Sequence, residues 1–463
     1  MWSLRFLLIA ALRALFALPT AAQSRTKQYV QTHLAPIASI DPDYANNTDL
    51  AAFGQAIGNA RMVMLGEQDH GDGATMQAKT RLVKYLHEQK GFNILAFEGD
   101  MFSLHQGWEQ LATTPDAQAA FLHDNIYFYW SRCQQCDQLL YQYVPQTTRS
   151  ATPLRLTGFD NQFYNPYSQQ YLPAYLHTYL SKQQLPFLNS RTYRQFFRPF
   201  VDTLLVSTNF ITGSQDLDNP YKGRAIRDKH AKLRRFEACL DTITSQLPPS
   251  TSPGTESFDQ LLLRNLRALA QESAAYSEDH NTTYRVRDAQ MAANLDWLAN
   301  TKFAGEKIIV WAASAHVAKG KGSDYLVQGR LSAEQQARFR TELDAVQPMG
   351  RVFTEDARNR QQTYILGFVS REGTTKRTVV RTATTIAPPT KNRLESWLPP
   401  SLAYAFLDLQ PLRAQQAGRA PEYVDMHGLR RQTTYADWPQ FFDGLFYVRT
   451  MTPCALTNFQ PSK

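Results

Sequence analysis

Four short apolar runs in this chain are each followed closely by side chains that can move protons. Met62–Leu65 precedes Glu67 and His70, Ile94–Phe97 precedes Glu98, Leu154–Thr157 precedes Asp160, and Lys307–Trp311 precedes Ser314 and His316. A carboxylate three positions before an imidazole, as in Glu67 and His70, can hold the ring's tautomer and leave the other nitrogen to take a proton from water. The glycines at 66, 71 and 73 permit the tight backbone that this turn requires. The chemistry expected is general-base activation of water. His70 is the candidate base, Glu67, Glu98 and His316 are its catalytic partners, and Asp160 and Ser314 are supporting residues.

These residues act together only if the four runs are strands of one parallel sheet, because ligands of such sheets bind beyond the carboxyl ends of the strands. Between the first two runs, Met76, Leu82, Val83 and Leu86 recur at near-helical spacing over 74–89, and Gly91 stops the helix. A strand, helix, strand unit of this kind gives a right-handed crossover with both strands ending at one edge. The expected fold class is α/β: a mainly parallel central sheet with flanking helices, a helical insertion at about 163–300, and a strand-rich C-terminal part. That part offers Thr363–Val369, Thr378–Arg381, Leu402–Leu409 and Gly444–Arg449 as strands, and Pro248–Thr255 reads as an exposed linker.

Residues 1–23 combine a basic start, an apolar run from Phe6 to Leu18 interrupted by Arg13, and Thr20-Ala21-Ala22 before Gln23, the pattern of a cleaved export signal. The remaining 24–463 is expected to be one domain, exported to the periplasm or secreted, with no stable membrane span once the leader is removed. The composition, 43% hydrophobic and 19% charged, excludes a disordered or fibrous chain. The formal charge of +8 comes without a dense Lys/Arg block, and the basic stretch Arg224–Arg235 reads as a solvated helix face, so no nucleic-acid partner is expected. Of the four cysteines, at 133, 136, 239 and 454, Cys133 and Cys136 are the one close pair and are expected to bridge locally, with two unpaired thiols as the alternative.

Other chemistries use the same residues. Glu67, His70, Glu98 and His316 form a two-His, two-carboxylate set that zinc or manganese would accept, but no HExxH spacing is present, so a catalytic metal is not favoured and no cofactor is expected. Ala312–His316 echoes a nucleophile elbow around Ser314, yet His316 is too large for the elbow's last position. A ligand-binding protein without turnover is a third alternative. Tyr164, Tyr167, Tyr171, Tyr175 and Tyr179 share a face of one helix, or of two broken near Pro173; these, like Tyr127, Phe128, Tyr129 and Trp130, read chiefly as packing. Asp288 reads as the partner of Arg287 in an architectural ion pair.

Several segments together resemble the erythromycin esterase-like family. They are MLGEQDHG at 64–71, the following helix with Lys79 and Arg81, GFNILAFE ending at Glu98, LRLTGFDNQ at 154–162, Arg287-Asp288 with Met291 and Asn294, and IIVWAASAHV at 308–317; weaker similarity continues from Pro388 to Phe446. The resemblance implies an α/β hydrolase acting by direct attack of water, without a required metal, on a small-molecule ester, lactone or macrolide-like substrate. It assigns the base to His70, orientation and polarisation to Glu67 and Glu98, and basic helix positions to Lys79 and Arg81. His316 falls on the second histidine of the family's His-Asn-small-His motif. Ala313 and Ser314 stand where the first His and the Asn belong, so an ester or lactone other than erythromycin is the expected substrate.

Overall fold

The computed structural model describes residues 25–111, 114–206, 222–248, 256–276, 279–326, 332–429 and 434–461. The expected leader lies outside these residues, as do residues 249–255 of the expected linker. Among the described residues a nine-stranded sheet has the order β1 (Ala35–Ile37), β8 (Tyr404–Asp408), β11 (Gly444–Met451), β6 (Thr363–Thr375), β2 (Met62–Leu65), β5 (Ile308–Trp311), β3 (Ile94–Asp100), β4 (Arg155–Asp160). The strand β7 (Thr384–Ile386) pairs with β6, and β9 (Val424–Met426) pairs with β10 (Thr434–Ala436) in a separate ribbon. From β11 to β4 neighbouring strands run parallel, whereas β8 and β1 are antiparallel additions. The chain therefore builds an α/β fold with a mainly parallel sheet.

The central strands are apolar on both faces because each face is covered. Val63, Leu65, Leu95, Phe97, Ile309 and Trp311 point into one core, and Met62, Met64, Ile94, Ala96, Ile308 and Val310 into the other. On the first face lies α1 (Gly73–Lys90), which contributes Met76, Leu82, Val83 and Leu86 and ends at Gly91, whose φ of 71° makes a left-handed cap. Between β4 and β5 come four long helices, α2 (Pro166–Lys182), α3 (Lys222–Gln246), α4 (Phe258–Ala275) and α5 (His280–Trp297). Leu172, Leu176 and Leu180 of α2 meet Leu233 and Phe236 of α3 and Leu262 and Leu266 of α4 in a third core. Each such side chain contributes roughly 1.5–3 kcal/mol by its burial. Helix α2 continues unbroken through Pro173. Among the described residues no helix is long and apolar enough to cross a membrane.

Two expectations are corrected. Thr378–Arg381 is not a strand: β6 already has β7 as its partner, that pairing ends at Thr375 and Thr384, and the intervening residues form a loop turned by the Val380 N–H to Arg377 O bond. Cys133 pairs with Cys454, not with Cys136. The tail after β11 runs antiparallel to this segment, with Gln134 N–H donating to Ala455 O, and brings the two Cα atoms to 5.2 Å. The turn Gln134–Cys136 meanwhile buries the Cys136 thiol, whose pKa burial pushes up; Cys136 and Cys239 are the free thiols.

Candidate active site

The carboxyl ends of β2, β3, β4 and β5 open onto one cleft of about 490 Å³. His70, Glu98, Arg287 and His316 line it, together with Tyr127, Tyr129 and Trp130. At the end of β2, Glu67 is fully buried and three groups converge on its carboxylate. His70 Nδ1 lies 3.0 Å from Oε1, Trp130 Nε1 donates to the same oxygen at 3.2 Å, and Lys79 Nζ bonds Oε2. Lys79 has no exposed surface and sits 4.1 Å from the centre of the Trp311 ring. Burial lowers the Lys79 pKa, with the Glu67 carboxylate as the main opposing influence. The His70 ring stacks on Tyr129 at 4.9 Å and meets Trp130 edge-on at 5.2 Å, so its plane is fixed as well as its tautomer. With Nδ1–H given to Glu67, Nε2 makes no hydrogen bond to a described residue, and the side chain keeps 18% exposure on the cleft.

A second cluster faces this pair. Arg287 on α5 donates from Nε and Nη2 to Asp160, at 3.1 and 2.5 Å, and from Nη2 to Glu98 Oε1 at 2.9 Å. The other Glu98 oxygen accepts from Ala313 N–H at 2.9 Å. Burial alone would raise the Glu98 pKa, but His316, Arg287 and His70 outweigh it and hold the carboxyl at about 2. His316 Nδ1 lies 2.5 Å from Asp288 Oδ1, and its Nε2 lies 3.4 Å from Glu98. Burial works against charge on this ring, yet Asp288 and Glu98 raise its pKa, while Arg287, whose Nη1 lies 3.2 Å from Nε2, lowers it. Behind the cluster, Glu272 is buried on Asn161 and Gln162, and burial raises its pKa to about 7.

The structure thus places Glu67, His70 and Lys79 in one cluster and Glu98, Asp160 and His316 in a second, both at the carboxyl edge of the sheet beside one cleft. It does not bring Arg81 there. That guanidinium is turned to Asp49, donating to both carboxylate oxygens at 2.7 and 2.8 Å, and it ties the segment before β2 to α1. Nor does Ser314 line the cleft; its N–H donates to Glu67 O at 2.8 Å, and its Oγ lies 2.6 Å from where a Cβ on Gly66 would stand. Glycine at 66 is what lets the base loop pass this close. The Arg287–Asp288 ion pair is also corrected: neighbours on a helix point away from each other, so Arg287 turns to Glu98 and Asp160 while Asp288 turns to His316. Tyr129 and Trp130, read above as packing, touch His70 and Glu67 directly. Tyr167, Tyr171, Tyr175 and Tyr179 line a different cleft of about 570 Å³.

Arg377 was absent from the sequence reading. It donates to Asp69 at 3.1 and 2.8 Å, lies 5.3 Å from the Tyr129 ring centre and borders the cleft. No spacing signal links position 377 to position 69, because a long-range fold contact makes the pair. Among the described residues no group of three or more His, Cys, Asp or Glu is arranged to hold a metal ion.

A family model described as erythromycin esterase matches residues 87–451, a span that contains Glu98, Asp160, Arg287 and His316 and begins after His70. Bacillus subtilis YbfO, named as a hydrolase, is 25% identical over 335 residues, covering 68% of this chain and 70% of that protein. Two solved structures share the fold. A succinoglycan biosynthesis protein has a TM-score of 0.64 at 17% identity, covering 94% of this chain and 99% of its own. An erythromycin esterase mutant in its open conformation has a TM-score of 0.58 at 14% identity, covering 93% of this chain and 100% of its own.

Proposed function

The chain belongs to the erythromycin esterase family and is an esterase-like hydrolase; on that premise we propose that it cleaves an ester or lactone with water activated by His70. The observation that carries this reading is the buried Glu67 carboxylate, which takes Nδ1–H of His70 and leaves Nε2 facing the cleft. In the proposed reaction, Nε2 removes a proton from water as the oxygen bonds to the acyl carbon. Negative charge on the former carbonyl oxygen is stabilised by the Arg287 guanidinium and by His316, which line the same cleft. Collapse breaks the bond to the alkoxide, which takes its proton from the His70 imidazolium. Asp160, Glu98 and Asp288 do not react; they hold Arg287 and His316 in place.

This scheme needs no metal, and the ion pairs support that reading: Glu67 is held by Lys79, and Glu98 by Arg287. A substrate other than erythromycin is favoured because Ala313 cannot supply a side-chain donor and its N–H is given to Glu98. Aromatic walls and a volume within the usual range of roughly 300–1,000 Å³ suit a small molecule. Export is part of the proposal, and the Cys133–Cys454 disulfide, which belongs to an oxidising compartment, supports it. The test is a panel of chromogenic esters, lactones and macrolides given to chelator-washed protein. Turnover of at least one ester or lactone, undiminished by chelation, is expected. Activity that vanishes on chelation and returns with a divalent ion contradicts the scheme.

A further inference from the structure

The strand β6 runs on past the end of β2, accompanied by β11 as far as the Met451–Gly373 pair. Leu366 pairs with Leu65, the last residue of β2, and the strand then continues from Gly367 to Thr375. Those nine residues carry the strand alongside the loop that holds His70. Its far end is clamped to the loop that carries His70. Lys376 N–H donates to Gly71 O at 3.2 Å, Arg377 grips Asp69, and a Cβ on Gly71 would lie 2.4 Å from the Lys376 carbonyl carbon. The hairpin formed with β7 therefore stands at the mouth of the cleft, which Thr375, Arg377 and Thr384 help to line.

The tip of this hairpin exposes two adjacent apolar side chains. Val379 and Val380 are 57% and 44% exposed, side by side. Residues 371–393 carry Arg371, Lys376, Arg377, Arg381, Lys391 and Arg393 against a single acid, Glu372. Arg377 and Arg393 have carboxylate partners, whereas Lys376, Arg381 and Lys391 make no ion pair with a described residue. Two exposed aliphatics flanked in the same loop by the cations Lys376 and Arg381 are complementary to a surface that is anionic outside and apolar beneath.

We propose that the 376–383 hairpin tip docks on an anionic phospholipid bilayer. Val379 and Val380 enter the boundary between headgroups and acyl chains, Lys376 and Arg381 meet lipid phosphates, and the cleft mouth faces the membrane. The inference stands apart from the hydrolase reading, because its readout is binding and the residues it uses lie outside the Glu67–His70 network.

The experiment is cosedimentation of the chain with vesicles of phosphatidylcholine containing phosphatidylglycerol, and with vesicles of phosphatidylcholine alone. The variants are the double substitution Val379→Ser with Val380→Ser, and Arg381→Glu; these positions are exposed, so the fold is preserved. The wild type is expected to pellet with the anionic vesicles and to be released by high salt. Each variant is expected to lose affinity by about tenfold, following the usual dependence on apolar burial and charge. Absence of pelleting, or equal binding by wild type and variants, overturns the proposal. So does a concentration-dependent dimer that disappears in the double variant without any vesicle binding, which assigns the face to a second copy.

Discussion

Nδ1 of His70 lies 3.0 Å from Oε1 of Glu67, and the same carboxylate is held from behind by the buried ammonium of Lys79. The imidazole is thereby presented to the cleft in one tautomer, backed by a charge that solvent does not screen. The consequences are measurable at each link of this chain of contacts.

Glu67→Gln keeps the shape of the side chain and removes its charge. A general base that loses its orienting carboxylate is expected to lose about 10²–10⁴-fold in kcat. Steady-state kinetics on any ester that the wild type turns over provides the check. An unchanged kcat means that the Glu67–His70 contact is structural.

Lys79→Met leaves the Glu67 carboxylate buried and without its cation. Removing one partner of a buried ion pair costs about 3–5 kcal/mol, which urea unfolding of the variant measures. Arg81→Lys provides the contrast. It breaks the two-pronged grip on Asp49, so stability falls while kcat/KM of the folded protein stays at the wild-type value.

Glu98 gives a pH signature whose sign follows from its lowered pKa. In the folded protein the carboxyl ionises at about 2 against an ordinary 4.5, so its stabilisation is complete above pH 4.5 and is lost as pH falls through about 2. Glu98→Gln is therefore expected to be less stable than wild type by about 3 kcal/mol at neutral pH, with the gap closing in acid. Denaturant midpoints measured across that range test it. A gap independent of pH contradicts the Glu98–Arg287–His316 arrangement.

Cys454→Ser releases the tail that packs on Gly71 and Cys133. Loss of a disulfide of this type typically costs about 2–4 kcal/mol. Because Cys454 N–H donates to Gly71 O, the base loop loses a restraint as well, and kcat is expected to fall along with the unfolding midpoint. A fall in stability with kcat unchanged shows that the disulfide supports the fold alone.

Much of this arrangement was legible in the residues. The buried runs at 62–65, 94–97 and 308–311 have no polar face to confuse their reading, and the acids and histidines after them could be listed before any fold was known. What stayed hidden depended on the directions of side chains across distant segments. Arg287 and Asp288 are neighbours in sequence, yet the helix turns them to different partners. The aromatic pair Tyr129 and Trp130 has the composition of ordinary packing until the fold sets it against His70 and Glu67. The CxxC spacing suggested a local disulfide, whereas the true partner, 321 residues away, is delivered by the tail of the last strand.

The most direct measurement is kcat/KM for His70→Ala on a responsive ester, together with its recovery on addition of free imidazole. The account predicts a fall of at least about 10²-fold with the unfolding midpoint unchanged, and partial recovery as imidazole enters the vacated space to take the proton from water. Activity equal to that of the wild type would contradict it.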